Sequence, residues 1–347
     1  MNYIDPPAKL LKHVDRIAAI ARGEAGAPVN VEVDLTNRCN LGCAGCHMAH
    51  THTRGYHANR RTVETGDIMP TDLILRVLGE MQAAGVRSVT WTGGGEPTLH
   101  PDFAEIITRC PMPQGIYTNG LLMTPQLAGI VKERAAWVYV SLDRPDRESY
   151  QVYKQADAFD QAEAGIKNLV GASGDATIGV GFLLSRSNWR DGWAMIKLAE
   201  GLGVDYVQFR PEIDFDPAAP QKKSNSTDWL FYAIEWLSKI QRHAGLQVDL
   251  SRFLMYRDWT RHPYKICHWA QMQTVLTPDG RLWTCCNKRG FEGESWGDLN
   301  HESFAEIARR ITGKEVNNQC RVMCRGHIPN LTLDKILAPR TGHDDFI

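Results

Sequence analysis

Short β-rich segments alternate with amphipathic segments along the first two thirds of the chain, and this alternation limits the possible folds more than any other feature. Six segments rich in β-branched and aromatic residues predict strands at residues 29–35, 88–92, 115–118, 137–142, 177–184 and 206–209. Five segments with helical periodicity lie between them, at residues 71–84, 101–109, 125–133, 159–171 and 189–201. Such alternation predicts a parallel sheet with helices outside it. Because six units are fewer than the eight of a closed barrel, we expect an α/β fold with a partial (β/α)6 barrel, open on one side.

The alternation ends near residue 215 and divides the chain into four parts. Residues 1–28 predict an N-terminal helical extension, residues 29–215 the partial barrel, and residues 216–263 a connecting helical segment. Residues 264–347 are rich in Cys, Gly and Trp, and Thr277-Pro278-Asp279-Gly280 predicts the turn of a hairpin. This last part is too small to build a large core by itself, so we expect a metal site to stabilise it.

Composition and charge exclude several classes of protein. The chain has 347 residues, 43% of them hydrophobic, and a net charge of -1. This charge gives no general attraction to polyanions, so we do not expect a nucleic-acid partner. No apolar run approaches the ~20 residues that span a bilayer. The N-terminus lacks the pattern of a signal peptide, so we expect a cytoplasmic protein without membrane attachment.

The nine cysteines are clustered along the chain. Cys39, Cys43 and Cys46 lie in one loop after the first predicted strand, and five others fall in the last quarter. In a reducing compartment such clusters indicate metal or redox chemistry rather than disulfides. Three thiolates can bind three irons of a four-iron cluster and leave the fourth iron open to a ligand. The alternative is a zinc knuckle with His47 or His50 as the fourth ligand.

A glycine-rich segment, Thr92-Gly93-Gly94-Gly95-Glu96-Pro97, follows the second predicted strand. In parallel β/α folds, ligands bind at this end of the strands. Backbone groups at Gly94 and Gly95 can receive the amino-acid portion of a ligand, and Glu96 can attract its ammonium group. A glycine run is equally compatible with a tight turn that has no ligand.

The cysteine loop and the Gly-Gly-Glu segment, in this order and after these strands, resemble the radical S-adenosylmethionine (SAM) superfamily over about residues 29–210. The resemblance implies a [4Fe-4S] cluster on Cys39, Cys43 and Cys46, with SAM bound to the open iron. An electron from the cluster would split SAM into methionine and a 5′-deoxyadenosyl radical that abstracts hydrogen from a substrate. A flavodoxin or a ferredoxin is the kind of partner that would supply this electron.

Further positions match those where the family lines its SAM pocket. The resemblance implies that Asn119 lines the pocket, that Ser141 and Asp143 contact the ribose or the carboxylate of SAM, and that Gln208, in the segment 208–211, approaches the adenine. These four assignments rest on the resemblance alone.

One position departs from the family pattern. Many members carry an aromatic residue just before the third cysteine, where this chain has Gly45. We therefore expect the adenine to pack elsewhere, for example on Met48. The following segment holds four histidines whose spacing fits no metal site that we can name, so we expect a polar loop near the cluster. These are His47, His50, His52 and His57.

The C-terminal cysteines show a second resemblance. Cys267 is followed by twelve residues, Gly280, four residues and Cys285, and two further cysteines come later. This spacing resembles the SPASM/twitch extension of radical SAM enzymes. The cysteines are too few for the full SPASM form, so the shorter twitch form is implied, with one auxiliary [4Fe-4S] cluster on Cys267, Cys285, Cys320 and Cys324. A zinc site with four cysteine ligands is the alternative.

Other candidate residues lie outside these two sets. Cys286 could replace Cys285 as a ligand, donate a hydrogen atom to a substrate radical, or simply pack. Cys110 is expected to be an apolar filler. Arg210 and Glu212 follow the sixth predicted strand at the mouth of the barrel, where they are candidates for substrate binding or proton transfer. Salt-bridged surface residues are the alternative for this pair.

An auxiliary cluster can accept an electron from the substrate, which makes the net reaction an oxidation. We therefore expect a radical SAM enzyme of oxidoreductase type that oxidises or rearranges a small polar molecule of the sugar, aminocyclitol or nucleoside type. The alternative enzyme modifies a ribosomal peptide by epimerisation or crosslinking. The N-terminal segment does not resemble a leader-binding module. A zinc-binding scaffold is the alternative without catalysis.

Overall fold

The computed structural model describes residues 6–46, 68–212, 228–253, 262–317, 320 and 324–339. Its strands are β1 (Asn30–Asp34), β2 (Ser88–Thr92), β3 (Gln114–Thr118), β4 (Trp137–Ser141), β5 (Thr177–Leu184), β6 (Tyr206–Pro211), β7 (Gln247–Asp249), β8 (Ile266–Cys267), β9 (Gln273–Leu276), β10 (Arg281–Trp283), β11 (Ser295–Asp298) and β12 (Lys314–Glu315). Its α-helices are α1 (Pro6–Leu10), α2 (Val14–Ala21), α3 (Thr71–Ala84), α4 (Phe103–Arg109), α5 (Pro125–Arg134), α6 (Arg147–Lys154), α7 (Phe159–Gly171), α8 (Gly192–Leu202), α9 (Asp228–Ile240), α10 (Phe304–Ala308) and α11 (His327–Leu337). No helix within these ranges is long and apolar enough to cross a membrane.

One ten-stranded sheet organises the fold, in the order β11-β10-β9-β1-β2-β3-β4-β5-β6-β7. Strands β1 to β6 pair in parallel as predicted, and helices connect them along the chain. The predicted α/β fold is therefore confirmed. The sheet also extends beyond the six predicted strands, because β7 pairs with β6 and β9 pairs with β1.

The predicted hairpin is present, and it belongs to this main sheet. β9 and β10 pair antiparallel around the turn at Gly280, whose φ of 82° favours glycine. β9 also lies parallel to β1, with Val31 opposite Thr274. The C-terminal cysteine region is therefore attached directly to the strand that leads into the first cysteine loop.

The two faces of the parallel strands differ because successive side chains alternate in direction. In β1, Val31 and Val33 are fully buried in the core under the helices, while Asn30 and Glu32 line the inside of the sheet. A polar inner face next to an apolar outer face is the pattern of a barrel that holds a polar ligand.

The inner face encloses a cavity of about 580 Å³. Its wall is formed mainly by the first residues of the strands, so the cavity lies in the amino-terminal half of the barrel. Leu10 of α1 and Pro329 of α11 contribute to its wall at this end, and Trp269 and Arg325 contribute from the C-terminal region. A volume of this size is typical of small-molecule sites.

Candidate active site

The first cysteine loop follows β1 directly, and α6 supports it. The backbone N–H of Gly42 donates to the Lys154 carbonyl at 3.0 Å, and that of Ala44 donates to the Tyr153 carbonyl at 2.9 Å. The end of α6 thus fixes the backbone between Cys39 and Cys46. The alternation pattern did not predict α6, which lies between two predicted elements.

The glycine-rich segment packs against the start of this loop. The N–H of Gly95 donates to the Thr36 carbonyl at 2.9 Å, and that of Glu96 donates to the Arg38 carbonyl at 2.8 Å. A Cβ atom at Gly95 would overlap the Arg38 carbonyl, and one at Gly94 would overlap the Asn37 side chain. Glycine is therefore required here for close approach to the cysteine loop.

The Glu96 carboxylate is buried and joins the ends of β2 and β3. Its Oε1 accepts from the Thr98 hydroxyl and the Thr118 hydroxyl, each at 2.7 Å, and from the Thr98 N–H at 3.2 Å. Its Oε2 accepts from the Asn119 N–H at 2.7 Å. Burial raises the pKa of Glu96, and these donors oppose the rise. With about four acceptor positions on a carboxylate, the capacity that remains is on Oε2.

Asn119 connects β3 to the cysteine loop. Its side-chain amide donates to Oδ1 of Asn40 at 2.7 Å, and its own Oδ1 accepts from the Leu121 N–H at 3.0 Å. Asn119, which is predicted to line the SAM pocket, therefore also contacts Asn40, the residue after Cys39.

A buried ion pair lies beneath the cysteine loop. The Lys154 ammonium is 2% exposed and donates to Asp143 Oδ2 at 2.5 Å and to the Ser141 carbonyl at 2.8 Å. Asp143 has a left-handed backbone with φ 67°, and its Oδ1 accepts from the Leu183 N–H at 3.0 Å. Burial raises the pKa of the Cys43 thiol, and the Lys154 charge opposes this rise.

This pair bears on two of the predicted SAM contacts. Each oxygen of the Asp143 carboxylate has one partner, Lys154 on Oδ2 and the Leu183 N–H on Oδ1. The Ser141 hydroxyl, in contrast, makes no hydrogen bond within the described part of the chain. The contacts of both residues to SAM stay predictions.

Tyr153 and Glu212 lie against Gly45. A Cβ atom at Gly45 would overlap the Tyr153 hydroxyl and Oε1 of Glu212. The guanidinium of Arg144 lies 3.7 Å from the centre of the Tyr153 ring and holds it in place. An aromatic ring from α6 therefore occupies the space beside the third cysteine. Met48, the residue expected to pack there, lies outside the described residues, as do His47, His50, His52 and His57.

Arg210 crosses the middle of the barrel. Its Nε donates to Gln208 Oε1 at 2.6 Å, and its guanidinium lies 4.2 Å from the centre of the Tyr139 ring and 5.2 Å from that of Tyr117. Burial opposes its charge, but the two phenolic groups raise the pKa of Arg210 above its ordinary value. Proton transfer by Arg210 is therefore not expected, which corrects that part of its predicted role.

Gln208 lies on the cavity side of Arg210. Its amide nitrogen donates to Asp249, and its oxygen accepts from Arg210, so both ends of the amide have partners. Gln208 also lines the cavity in the amino-terminal half of the barrel. Gln208 thus holds Arg210, and its predicted approach to the adenine stays a prediction.

Four C-terminal cysteines line one small cavity of about 50 Å³, namely Cys267, Cys285, Cys320 and Cys324. Burial raises the pKa of both the Cys267 and the Cys324 thiols to about 12. A cation bound between these buried thiols would lower their pKa values and favour the thiolate forms that bind metals.

Cys286 is absent from the lining of this cavity and borders a second pocket, together with Gln273 and Arg325, which also line the barrel cavity. Cys285 and Cys324 border both small pockets. Replacement of Cys285 by Cys286 as a ligand therefore stays a prediction.

Two ion pairs join the C-terminal cysteine region to β1. Arg325, next to Cys324, donates to Glu32, and Arg289 donates to Asp34. Both acids lie on the inner face of the strand that ends at the first cysteine loop. The sequence analysis missed these pairs, although the alternation Asn-Val-Glu-Val-Asp in β1 signals a polar inner face.

The donor chemistry of both cysteine sets fits an iron–sulfur cluster. Within the described ranges, no three side chains of His, Cys, Asp or Glu converge closely enough to hold a single metal ion. A cluster places its cysteines on different irons, whereas zinc takes four ligands around one point. His47 and His50, the fourth ligands of the zinc alternative at the first set, lie outside the described residues.

Comparisons with known proteins agree with this chemistry. The family model described as the radical SAM superfamily matches residues 33–199 of this chain. A "Probable GTP 3′,8-cyclase" of Halobacterium salinarum is 27% identical over 232 residues, which are 66% of this chain and 56% of that protein. The GTP 3′,8-cyclase of Chlorobaculum tepidum is 30% identical over 161 residues, 45% of each chain. The chain therefore spans about half the length of the curated relatives it matches.

Solved structures show the same fold. SuiB of Streptococcus suis bound to S-adenosylmethionine has a TM-score of 0.64 and 17% identity, covering 88% of this chain and 72% of that one. anSMEcpe with bound AdoMet has a TM-score of 0.59 and 16% identity, covering 81% of this chain and 80% of that one. At these identities the likeness concerns the fold alone.

Proposed function

We propose that this chain is a radical SAM enzyme that acts on a small polar substrate held in the barrel cavity. The observation that carries the proposal is the position of this cavity. Its wall includes Glu32 of β1, the strand that leads to the first cysteine loop, and Arg325, which follows a C-terminal cysteine. A molecule in the cavity would lie between the two cysteine sets.

The first set, Cys39, Cys43 and Cys46, is proposed to hold a [4Fe-4S] cluster with one open iron. When bound, this cluster supplies the electron that cleaves SAM into methionine and a 5′-deoxyadenosyl radical, which takes hydrogen from the substrate. A flavodoxin or ferredoxin is proposed as its reductant. The chain's own part is to fix the loop through Gly95 and α6.

Three side chains are proposed to orient SAM. The free acceptor position on Glu96 Oε2 suits its ammonium group. The Ser141 hydroxyl suits its ribose or carboxylate, since it has no other partner in the described chain. The Tyr153 ring, beside the third cysteine, suits its adenine. Asn119 and Asp143 are proposed to act indirectly, by holding the cysteine loop.

The second set, Cys267, Cys285, Cys320 and Cys324, is proposed to hold an auxiliary [4Fe-4S] cluster in a twitch-type region. This position next to the cavity suits an electron acceptor, so the net reaction would be an oxidation or a rearrangement. Cys286 shares a pocket with Gln273 and Arg325, which line the barrel cavity, and is proposed as a candidate hydrogen donor. The names of the GTP 3′,8-cyclase relatives support a substrate of the nucleoside type within the small polar class.

The test begins with anaerobic reconstitution, followed by counting iron and sulfide per chain. We expect about eight irons in the wild type and about four in the triple variant Cys39→Ala, Cys43→Ala, Cys46→Ala. With dithionite, the wild type should form 5′-deoxyadenosine from SAM, and the triple variant should not. Zinc in place of iron, or equal SAM cleavage by both proteins, would refute the proposal.

A matched variant tests the auxiliary site separately. Cys267→Ala, Cys324→Ala should lose the second set of about four irons and keep the first. SAM cleavage without substrate should persist in this variant. If the wild type binds only about four irons and this variant keeps them all, the auxiliary cluster is absent and the oxidation loses its electron acceptor.

A further inference from the structure

Arg252 places a positive charge in the wall of the barrel cavity. The turn after β7 fixes its backbone, because the Ser251 N–H donates to Asp249 Oδ1 at 2.9 Å. The next residue, Phe253, is fully buried and packs edge-to-face on Trp229 with ring centres 6.2 Å apart. Arg252 therefore projects from an anchored segment.

The Arg252 guanidinium makes no hydrogen bond or ion pair within the described part of the chain. The charges near it have other partners. Arg325 pairs with Glu32, and the Asp249 carboxylate accepts from Gln208 and from the Ser251 N–H. Arg252 is thus a cation without an ion-pair partner among the described residues that line this cavity.

The electrostatic potential is also positive at a second place in the cavity wall, the Tyr117 hydroxyl. Burial would raise the pKa of the Tyr117 hydroxyl, yet the charges of Arg210, Arg252 and Arg325 lower it below its ordinary value. Glu32 opposes this effect only in part. Three guanidinium groups therefore act on one wall of the cavity, and one nearby carboxylate offsets them.

We propose that Arg252 binds an oxyanion of the substrate, a carboxylate or a phosphoryl group, inside the barrel cavity. The guanidinium presents paired N–H donors that match such a group in two-point geometry. The aromatic wall, which includes Tyr117, Trp137 and Tyr206, lowers the polarity beside the guanidinium and strengthens this interaction. This inference narrows the substrate class to anionic small molecules. It rests on the proposed function, because the bound anion is part of a substrate only if the chain is the proposed enzyme.

Arginine labelling tests the site without SAM, reductant or turnover. The reconstituted wild type is treated with phenylglyoxal in sodium chloride, sodium phosphate or sodium acetate at equal ionic strength, and labelled residues are mapped by mass spectrometry. We expect phosphate or acetate to slow labelling of Arg252 at least fivefold relative to chloride. Arg190, an exposed residue, is the control whose labelling should not change.

The outcomes separate the two anion sources. Protection by phosphate alone identifies a phosphoryl site, and protection by acetate alone a carboxylate site. Protection by both supports a general oxyanion site, and protection by neither overturns the inference. Because no radical chemistry is involved, protection can be observed even if SAM cleavage fails, and it can be absent while SAM cleavage succeeds.

A titration provides the second readout. Trp137 and Trp269 line the cavity, so tryptophan fluorescence should report phosphate or acetate binding. We expect Arg252→Gln to weaken binding of the protecting anion at least tenfold, while Arg190→Gln leaves it unchanged. Equal weakening in both variants, or none in Arg252→Gln, contradicts the inference.

Discussion

Arg289 and Asp34 form an ion pair that is almost fully buried and that spans 255 residues of sequence. Asp34 ends the strand before the first cysteine loop, and Arg289 follows the C-terminal Cys285–Cys286 pair. Burial raises the pKa of Asp34, and the Arg289 charge is the main factor that opposes this rise. The pair therefore couples the folding of the two cysteine regions.

Removing one partner should be costly. In Asp34→Asn the buried Arg289 charge loses its counter-ion, and we expect the free energy of unfolding to fall by about 3–5 kcal/mol. The double change Asp34→Asn, Arg289→Met should recover part of this loss. Urea denaturation measures the effect, and iron content shows whether both clusters are affected.

A surface pair provides the control for this prediction. Arg109 and Glu105 are 2.8 Å apart and both about half exposed. Glu105→Gln should cost less than about 1 kcal/mol. If Asp34→Asn costs no more than Glu105→Gln, the buried pair does not hold the two regions together.

The neighbours Cys285 and Cys286 should behave differently. Since Cys285 lines the four-cysteine cavity with Cys267 and Cys324, Cys285→Ala should lower iron by about four per chain. Cys286→Ala should keep all of the iron, because Cys286 does not line the four-cysteine cavity. Iron analysis of matched preparations decides the point. Loss of iron in Cys286→Ala alone would reverse the ligand assignment.

Periodicity predicted the parallel sheet because its strands are long enough to show a pattern. All six predicted strands are present, and β2 and β5 have the predicted bounds. β7 has three residues and β8 has two, too few for alternation to be recognised. Their pairing depends on contacts between distant segments, which a local pattern does not contain.

The ligand-binding details were harder to predict, for a similar reason. The segment around Glu96 packs against the start of the first cysteine loop, while Asp143 and Gln208 are engaged by Lys154 and Arg210, respectively. The positions of those two basic residues depend on how α6 and β6 pack. Arg252 carried no sequence signal, because an arginine gains significance here only from its place in the cavity wall and from having no ion-pair partner in the described part of the folded chain.

Even the addition of a single methyl group at Gly45 should disturb the first cysteine loop. A methyl group at this position would overlap the Tyr153 hydroxyl and the Glu212 carboxylate, so Gly45→Ala should displace the third cysteine. We expect loss of at least half of the iron of the first cluster and a matching loss of 5′-deoxyadenosine formation. Tyr153→Phe removes one of the two overlaps, so the double variant should regain part of the iron. No difference between the single and the double variant would mean that Tyr153 does not limit this space.

His327 should make stability depend on pH in the acid range. Its ring is buried, 6% exposed, and its Nδ1 lies 3.1 Å from the Tyr264 hydroxyl, which also contacts His262 at 3.0 Å. Burial, followed by the charge of His262, lowers the pKa of His327 to about 4. The unfolded chain, with a pKa near 6.5, therefore binds more protons than the folded chain between these two values.

It follows that the contribution of His327 is fully present above about pH 6.5 and is lost as the pH falls towards 4. The loss should be about 3 kcal/mol over this window, from about 1.4 kcal/mol per pKa unit. His327→Gln cannot take up this proton, so its free energy of unfolding should fall less steeply with acid than that of the wild type. His243→Gln, at an exposed histidine, should follow the wild-type curve. Because cluster loss in acid affects all three proteins alike, parallel curves for the wild type and His327→Gln would show that this ring does not stay neutral on burial.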